Sequence, residues 1–361
     1  MMLSFDKLSA ALVAFLKLRA RPLAQTLVVV LSLGLAELLA AALDLERSVG
    51  VLALASLASL VVCAKLGWRQ ALVGVGGLAV LSAPAVASQD DLLKATILLT
   101  GTALGLGLTA RWQLKPAYWL MVVSLCLLIT NSPLPATAPA PDLVRLALAL
   151  LASGSLATLL QILLLSLAGS PPARTPFVVA HSWRRSGAHA LMLASATVIT
   201  TPFALQHHWH TTGLWLVLTP FLVLQPFVRD SWSVALHRSL GTFAGVVLVV
   251  LLASTLLPIV PLKLLAIASA VATVVIAVKR GHRALMLTGL TATIVLFNSS
   301  SHDLLLMADQ RVLASSLGIA IALGLMALAH PIEQRVLRAT ERLDEGRQGS
   351  PATDSQTTSR P

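Results

Sequence analysis

Long apolar runs, separated by short polar breaks, dominate the pattern of side chains along this chain. A helix needs about 17 to 25 apolar residues to cross a lipid bilayer, and we count about twelve runs near that length. Their expected positions are 24–43, 49–64, 70–88, 93–110, 117–131, 143–169, 186–205, 212–227, 239–258, 262–278, 284–298 and 312–330. The pattern therefore predicts an all-α polytopic membrane protein of about twelve transmembrane helices.

The composition excludes a water-soluble globular protein. Of the 361 residues, 57% are hydrophobic and only 11% are charged, whereas a soluble domain has about a quarter of its residues charged. Both cysteines, Cys63 and Cys126, fall inside apolar runs. We interpret them as small buried hydrophobic residues and not as a disulfide.

The net charge of +11 is explained by membrane topology. If the N-terminus is cytoplasmic, the loops on the opposite side hold few of the 26 Lys and Arg residues. Those few are Arg47, Lys94, Arg145, Lys263 and Arg311. Cytoplasmic loops of membrane proteins carry the excess of basic residues, so both termini are predicted to be cytoplasmic. The charge thus reports orientation, and nucleic-acid binding is not indicated.

The two halves of the chain have polar residues at matching positions between their apolar runs. Asn131 and Asn298 each close a predicted span, and Asp142 and Asp309 follow them at equal intervals. Six spans per half would give two parallel six-helix repeats, related by an axis along the membrane normal. The predicted units are a first repeat with an N-terminal interfacial helix, a cytoplasmic linker, a second repeat, and a charged helix with a disordered tail: 1–169, 170–183, 184–330 and 331–361.

Residues 213–245 are the most informative stretch. Their apolar run ends at Gln225-Pro226, where the missing proline N–H leaves a backbone carbonyl without a helical partner. A polar turn with Arg229 and Asp230 follows. This order predicts a break in the membrane helix at the Gln225-Pro226 pair.

The next predicted helix opens with Arg238 and continues with a Gly241-x-x-x-Gly245 step. Small residues at this spacing let neighbouring helices approach closely. Gly101-x-x-x-Gly105 repeats the spacing in the first half. Both steps are compatible with packing inside the chain and with the contact face of a homo-oligomer.

Together these residues resemble the repeat of the fusaric acid resistance and aromatic acid exporter family of integral membrane transporters. The positions that carry the resemblance are Trp215, Thr219, Gln225, Pro226, Arg238, Gly241 and Thr242. The resemblance covers the C-terminal half well and the N-terminal half weakly. It implies a bacterial inner-membrane transporter that exports aromatic carboxylic acids or related amphipathic compounds, with no enzymatic activity and no cofactor.

Arg229 and Arg238 are candidates for collecting an anionic substrate at the cytoplasmic side. A guanidinium group binds a carboxylate bidentately and stays charged at any working pH. The alternative is that these arginines only mark topology and reach lipid phosphates. Asp230 is expected to be the structural partner of Arg238 or a helix cap.

Thr219, Gln225 and the carbonyl freed by Pro226 could bind polar groups of the substrate, or could form a kink satisfied by neighbouring helices. Trp215 and Trp232 could stack on an aromatic substrate. Tryptophans near membrane interfaces also serve as anchors, so both roles stay open.

Glu37 is the one carboxylate that the pattern places deep within a span. Burying it ionised would cost several kcal/mol unless it were paired. Protonation of Glu37 could couple transport to the proton gradient. The alternative is a fixed ion pair with an arginine from a neighbouring helix.

Two further functions remain open at this point. One is a passive organic-anion channel, resembling the plant malate channels. The other is a membrane enzyme or lipid-handling protein using the His-rich segment 207–210 and Asp303, although no carboxylate or cysteine nearby in sequence completes a metal set. The partners expected are a small organic anion and membrane lipid.

Overall fold

The structure, a computed structural model, describes residues 5–169, 179, 181–206, 210–256, 261–278, 282–298 and 304–348. Within these ranges the chain forms α-helices joined by turns and short 3-10 segments, with no strand, which confirms the all-α prediction. The helices are α1 Phe5–Ala42, α2 Val49–Leu66, α3 Trp68–Ala87, α4 Leu92–Thr109, α5 Lys115–Thr130, α6 Ala140–Leu167, α7 Trp183–Gln206, α8 His210–Val223, α9 Val228–Leu256, α10 Leu262–Val278, α11 Arg283–Asn298 and α12 Leu304–Gln348.

Eight helical segments in the described part of the chain are long and apolar enough to cross a membrane. They are Ala24–Ala42, Glu46–Leu66, Trp68–Ala87, Leu92–Trp112, Ala140–Leu167, Trp183–Leu205, Arg229–Thr255 and Leu304–Pro331. The apolar parts of α5, α8, α10 and α11 are shorter, at 10–17 residues. Twelve crossings therefore stay a prediction.

The short helices α5 and α8 pack against each other inside the helix bundle formed by this chain. Residues 120–129 of α5 and 213–221 of α8 are buried throughout. Helices α2 and α3 pack on α5, and helices α7 and α12 pack on α8. Side chains of α8 therefore face protein rather than lipid.

Several helix pairs recur in the two halves. The packing of α1 on α2, α2 on α6 and α3 on α6 has counterparts in α7 on α8, α8 on α12 and α9 on α12. Contacts of α4 with α7, α5 with α8 and α1 with α10 join the halves. These pairs agree with an internal repeat, which itself remains a prediction.

Two helices begin earlier than the pattern predicted. α9 begins at Val228, so the prediction that Arg238 opens it is wrong, and α12 begins at Leu304 and places Arg311 well inside the helix. After the break at Pro226, the Ser231 hydroxyl accepts the backbone N–H of Gln225 at 2.8 Å. A helix can start at once from this anchored turn.

The remaining expectations concern the termini and the cysteines. α1 is continuous from Phe5, so the predicted interfacial segment and first span form one helix, and α12 continues into the predicted charged helix. Cys63 and Cys126 are free and buried, as predicted. Most of the linker (170–178 and 180) and the tail from residue 349 onward lie outside the described residues.

Candidate functional site

Trp215 and Thr219 lie one turn apart on the enclosed helix α8. The indole is buried, and the Thr219 hydroxyl, also buried, donates to the Trp215 carbonyl at 2.6 Å. Gly318 of α12 lies against this turn, where a Cβ atom on it would be 2.7 Å from the Thr219 Cβ. The contact has no room for a side chain, and it brings the polar residues of α12 close to Trp215.

Two arginines flank the Trp215 ring. Arg238 of α9 and Arg311 of α12 are 1% and 2% exposed. Their guanidinium carbons lie 5.9 Å and 3.2 Å from the centre of the indole ring. A guanidinium over an aromatic face is favourable by about 2 kcal/mol when the pair is desolvated, less than the cost of burying the cation.

Most of the guanidinium nitrogens in this site lack a partner. Arg311 Nη2 lies 3.3 Å from the Thr291 hydroxyl oxygen of α11, which accepts its hydrogen bond. Arg311 Nε and Nη1, and Arg238 Nε and Nη2, are buried without a hydrogen bond in the described part of the chain. Removing one partner of a buried ion pair costs about 3 to 5 kcal/mol, because the other charge is left without a counter-ion. Two buried guanidinium groups without counter-ions are therefore expected to bind an anion.

The charge of the interior has one sign. Apart from the thiols of Cys63 and Cys126, the buried ionisable side chains that the structure describes are Lys115, His189, Arg238 and Arg311, and none of the buried side chains in those ranges is a carboxylate. Neither arginine therefore has an internal counter-ion among the described residues.

A hydroxyl follows each arginine by four residues. Thr242 on α9 and Ser315 on α12 are buried, and neither side-chain oxygen has a partner among the described residues. Residues four apart lie on the same helix face. Threonines elsewhere donate to the carbonyl one turn back, as Thr197 does to Leu193 and Thr293 does to Gly289, both at 2.8 Å. Thr242 does not, which leaves its hydroxyl available.

The predicted close helix contact at Gly241 and Gly245 is confirmed. A Cβ atom on Gly241 would be 2.6 Å from the Leu287 Cβ, and one on Gly245 would be 2.7 Å from the Thr288 carbonyl oxygen and from the Thr291 Cβ. Close packing of α9 on α11 thus places Thr291, the partner of Arg311, beside the arginine-bearing face of α9. We call Trp215, Arg238, Thr242, Arg311 and Ser315 the Trp215 site.

Arg229 and Asp230 lie apart from this site. Both are exposed in the first turn of α9, whereas Arg238 is buried more than two turns further on. The prediction that Asp230 pairs with Arg238 is therefore wrong. The two residues are eight positions apart on α9, which separates them by about 12 Å along the helix axis. Asp230 instead suits the positive end of the helix dipole.

The break at Gln225 and Pro226 satisfies its own polar groups. The side-chain Nε2 of Gln225 donates to the Leu222 carbonyl at 2.8 Å, which is the carbonyl that the missing proline N–H would leave unpaired. Thr219 likewise bonds within α8, so both side chains are satisfied locally and not by neighbouring helices, as the alternative expected. A direct role of Thr219 or Gln225 in binding substrate stays a prediction.

Glu37 and Trp232 lie on the periphery of the assembly. Glu37 Oε1 is 3.4 Å from Lys263 Nζ of α10, and the two side chains are 57% and 76% exposed. Glu37 thus forms the ion pair expected as the alternative, with a lysine rather than an arginine. Trp232 is exposed on α9, as an anchor would be.

The His-rich segment 207–210 and Asp303 are the residues on which the alternative of a membrane enzyme or lipid-handling protein depends. Residues 207–209 and Asp303, and the side chain of His210, lie outside the described part. Within the ranges that the structure describes, no group of three His, Cys, Asp or Glu side chains is placed to hold a metal ion.

Arg311 and Ser315 are the site residues that sequence reasoning missed. Positive-inside counting assigned Arg311 to the outer loops. The signal that could have found them is the shared spacing of Arg238 with Thr242 and of Arg311 with Ser315 on two apolar helices.

One comparison with known proteins gives a match. Residues 193–325 match the sequence profile of the family described as Fusaric acid resistance protein-like, which confirms the resemblance over this segment. The matched residues include Trp215, Arg238 and Arg311. Comparisons with curated proteins and with solved structures give no match.

Proposed function

We propose, on the premise that residues 193–325 belong to the fusaric acid resistance protein-like family, that this chain is a multi-pass inner-membrane transporter of organic anions. Its substrates are aromatic carboxylic acids or related amphipathic acids, moved out of the cytoplasm. The observation that carries the proposal is the pair of buried arginines, Arg238 and Arg311, which face one indole without a carboxylate partner in the described part.

A carboxylate suits the Trp215 site chemically. Its two oxygens can accept from guanidinium nitrogens of both arginines, and the Thr242 and Ser315 hydroxyls add two donors. Charge-assisted bonds of this kind are about twice as strong as neutral ones. We infer that the substrate draws Arg311 off the indole, and that the ring face so released packs on the aromatic body of the acid.

The site lies inside the membrane under this proposal. Arg238 is ten residues into α9 and Arg311 seven residues into α12, which corresponds to about 15 Å and 10 Å from the respective helix starts. If the helices cross in chain order from a cytoplasmic N-terminus, α9 and α12 enter from opposite sides. Substrate sites near the bilayer midplane are typical of carriers that expose the site to each side in turn.

Binding and exchange by the purified protein test the proposal. Labelled naphthalenesulfonate stays ionised at any working pH and does not leak across lipid as a neutral acid. We expect vesicles with the protein and unlabelled naphthoate inside to take up the label by exchange. Arg238→Gln and Arg311→Gln should each weaken binding at least about 10-fold, because each removes a buried charge partner of the anion.

The matched control is Arg69→Gln. Arg69 also lies over a tryptophan, with its guanidinium carbon 5.3 Å from the Trp68 ring, but it is exposed. Binding and exchange by Arg69→Gln should equal those of the unchanged protein. Equal exchange by both buried-arginine variants would remove the Trp215 site from transport.

A passive anion channel is the second candidate. The observation in its favour is the single charge sign of the described interior, since rings of basic side chains select anions in pores. A channel would carry currents that reverse at the equilibrium potential of the anion and would show no acceleration by substrate on the opposite side. Exchange stimulated by internal naphthoate distinguishes the carrier.

A further inference from the structure

A second group of buried basic side chains lies where the two halves meet the break after α8. Lys115, the first residue of α5, has its Nζ atom 3.3 Å from Nε2 of His189 on α7. The same ammonium donates to the carbonyl of Leu224, just beyond the end of α8. Both side chains are buried, and His189 Nδ1 has no partner within the described ranges.

The Lys115–His189 pair is suited to hold one proton. Two adjacent buried bases do not both carry a charge, because like charges at this separation repel strongly in a low-dielectric interior. The described interior contains no buried carboxylate to neutralise a second charge. The pair therefore has two accessible states, with and without its single positive charge.

Ionisable groups on the surrounding elements do not substitute for the pair. The charged and histidine side chains described on α7 itself and on the elements packed against α5, α7 and α8 are Lys65 from α2, Arg69 from α3, Lys94 from α4, Arg111 from the turn after α4, His181 from the approach to α7, Arg184 and Arg185 from α7, Arg229, Asp230, His237 and Arg238 from α9, and Asp309, Arg311, His330 and Arg335 from α12. Of these, His181 acts electrostatically on His189. Asp230 and Asp309 are the carboxylates among them, and both are exposed.

We propose that the Lys115–His189 pair is the proton-binding site that couples anion transport at the Trp215 site to a pH gradient, an inference that rests on the proposed function. In the charged state, the Lys115 ammonium holds the Leu224 carbonyl and so fixes the end of α8 to α5. Loss of the proton, from ammonium to amine, replaces a charge-assisted hydrogen bond with a weaker neutral one. The released proton leaves to water, and no other bond changes.

Helix α8 links the proton site to the anion site. Trp215 lies nine residues before Leu224 on the same buried helix segment and its cap, a distance of about 14 Å. Loosening the end of α8 from α5 changes how α8 sits against α12, which carries Arg311. Glu37, by contrast, is exposed and paired with Lys263 on another face of the assembly.

The test separates exchange from pH-driven accumulation. Vesicles containing the full chain are measured first for naphthalenesulfonate exchange at equal pH on both sides, and then for its accumulation under an imposed pH gradient, with pyranine inside reporting proton movement. His189→Gln and Lys115→Arg are the variants. Lys115→Arg keeps the charge and the donor to Leu224 but does not release a proton at working pH.

We expect both variants to exchange within about twofold of the unchanged protein, while accumulation under the gradient and the accompanying proton movement fall at least about 10-fold. Glu37→Gln should accumulate normally. Normal accumulation by either pair variant, or loss of accumulation in Glu37→Gln alone, would overturn the inference.

The same measurements distinguish failure of proton coupling from failure of the proposed transport function. If the unchanged protein exchanges but ignores the pH gradient, the coupling role fails and the proposed transport stands. If it neither binds nor exchanges, the proposed function fails and the inference falls with it. Loss of exchange in both pair variants would assign the pair to the fold or the anion site and would also overturn coupling.

Discussion

The interface between α2 and α6 in the first half and the Trp215 site in the second half bury polar side chains in opposite ways. Between α2 and α6, the Ser56 and Ser153 hydroxyl oxygens lie 2.6 Å apart, and those of Ser59 and Thr158 lie 2.5 Å apart. Around Trp215, four guanidinium nitrogens and the hydroxyls of Thr242 and Ser315 have no partner in the described residues.

The difference separates polar groups that join helices from polar groups that have no partner in the described residues and are free to accept one. A paired hydroxyl contributes about 1 kcal/mol to stability, whereas a buried unpaired group costs about 1 to 3 kcal/mol. The unpaired groups therefore lower stability around Trp215, which lies within the segment of the family match. Such a cost is expected where binding provides the missing partners.

Substituting one glycine in each half should produce the largest contrast. Gly245→Leu would push its side chain into the Thr288 carbonyl and Thr291, separating α9 from α11 at a cost of about 3 kcal/mol or more. Gly105→Leu is the matched change, because nothing lies within 4 Å of a Cβ atom there. We expect Gly245→Leu to lower the thermal midpoint in detergent strongly and to abolish anion exchange.

The expected difference between the two halves would be contradicted if Gly105→Leu lowered the thermal midpoint and anion exchange as much as Gly245→Leu. That outcome would mean that the open face of Gly101 and Gly105 is covered in the membrane by another copy of the chain. Size-exclusion chromatography of the two variants, alongside the midpoints, distinguishes a changed oligomer from a disrupted fold.

Periodicity and spacing predicted much of the fold. The twelve apolar runs fall on the described helices, because membrane helices must satisfy every backbone group internally and leave long uniform runs. Close approach at Gly241 and Gly245 was predicted from their spacing, but Gly101 and Gly105 have the same spacing and nothing within 4 Å of an added Cβ atom. The central position of α5 and α8 was not predicted, because composition does not tell lipid-facing from protein-facing apolar residues.

The site was predicted only in part. Trp215 and Arg238 were identified, but Arg238 was placed at a helix end because an arginine inside a span is costly. Arg311 was assigned to the outer loops by positive-inside counting. What brings both to Trp215 is the packing of α8, α9 and α12, which residue spacing on single helices does not reveal.

Thr242→Val tests whether one unpaired hydroxyl of the Trp215 site contributes to anion binding or to stability. The substitution keeps the shape of a side chain that is 3% exposed and removes an oxygen without a partner. We expect an unchanged or higher thermal midpoint, together with naphthalenesulfonate binding that is about 10-fold weaker, because a hydrogen bond to a charged group contributes about 1.5 kcal/mol or more. Unchanged binding with a lower midpoint would assign Thr242 to the fold.

Thr158→Val is the same chemical change in the first half. We expect it to have the smallest effect, a slight loss of stability with no change in anion binding, which is the reverse of the effect expected for Thr242→Val. Thr158 is 2% exposed, and its hydroxyl pairs with Ser59 and with the Gly154 carbonyl at 2.9 Å. The Ser59 hydroxyl keeps its own bond to Gly154 at 2.8 Å, so no buried group is orphaned. The loss should be about 1 kcal/mol, a shift of a few degrees in the thermal midpoint. Anion binding and exchange should not change, because the α2–α6 interface holds no buried charge; a variant that kept its stability but bound naphthalenesulfonate more weakly would place part of the anion pathway in the first half.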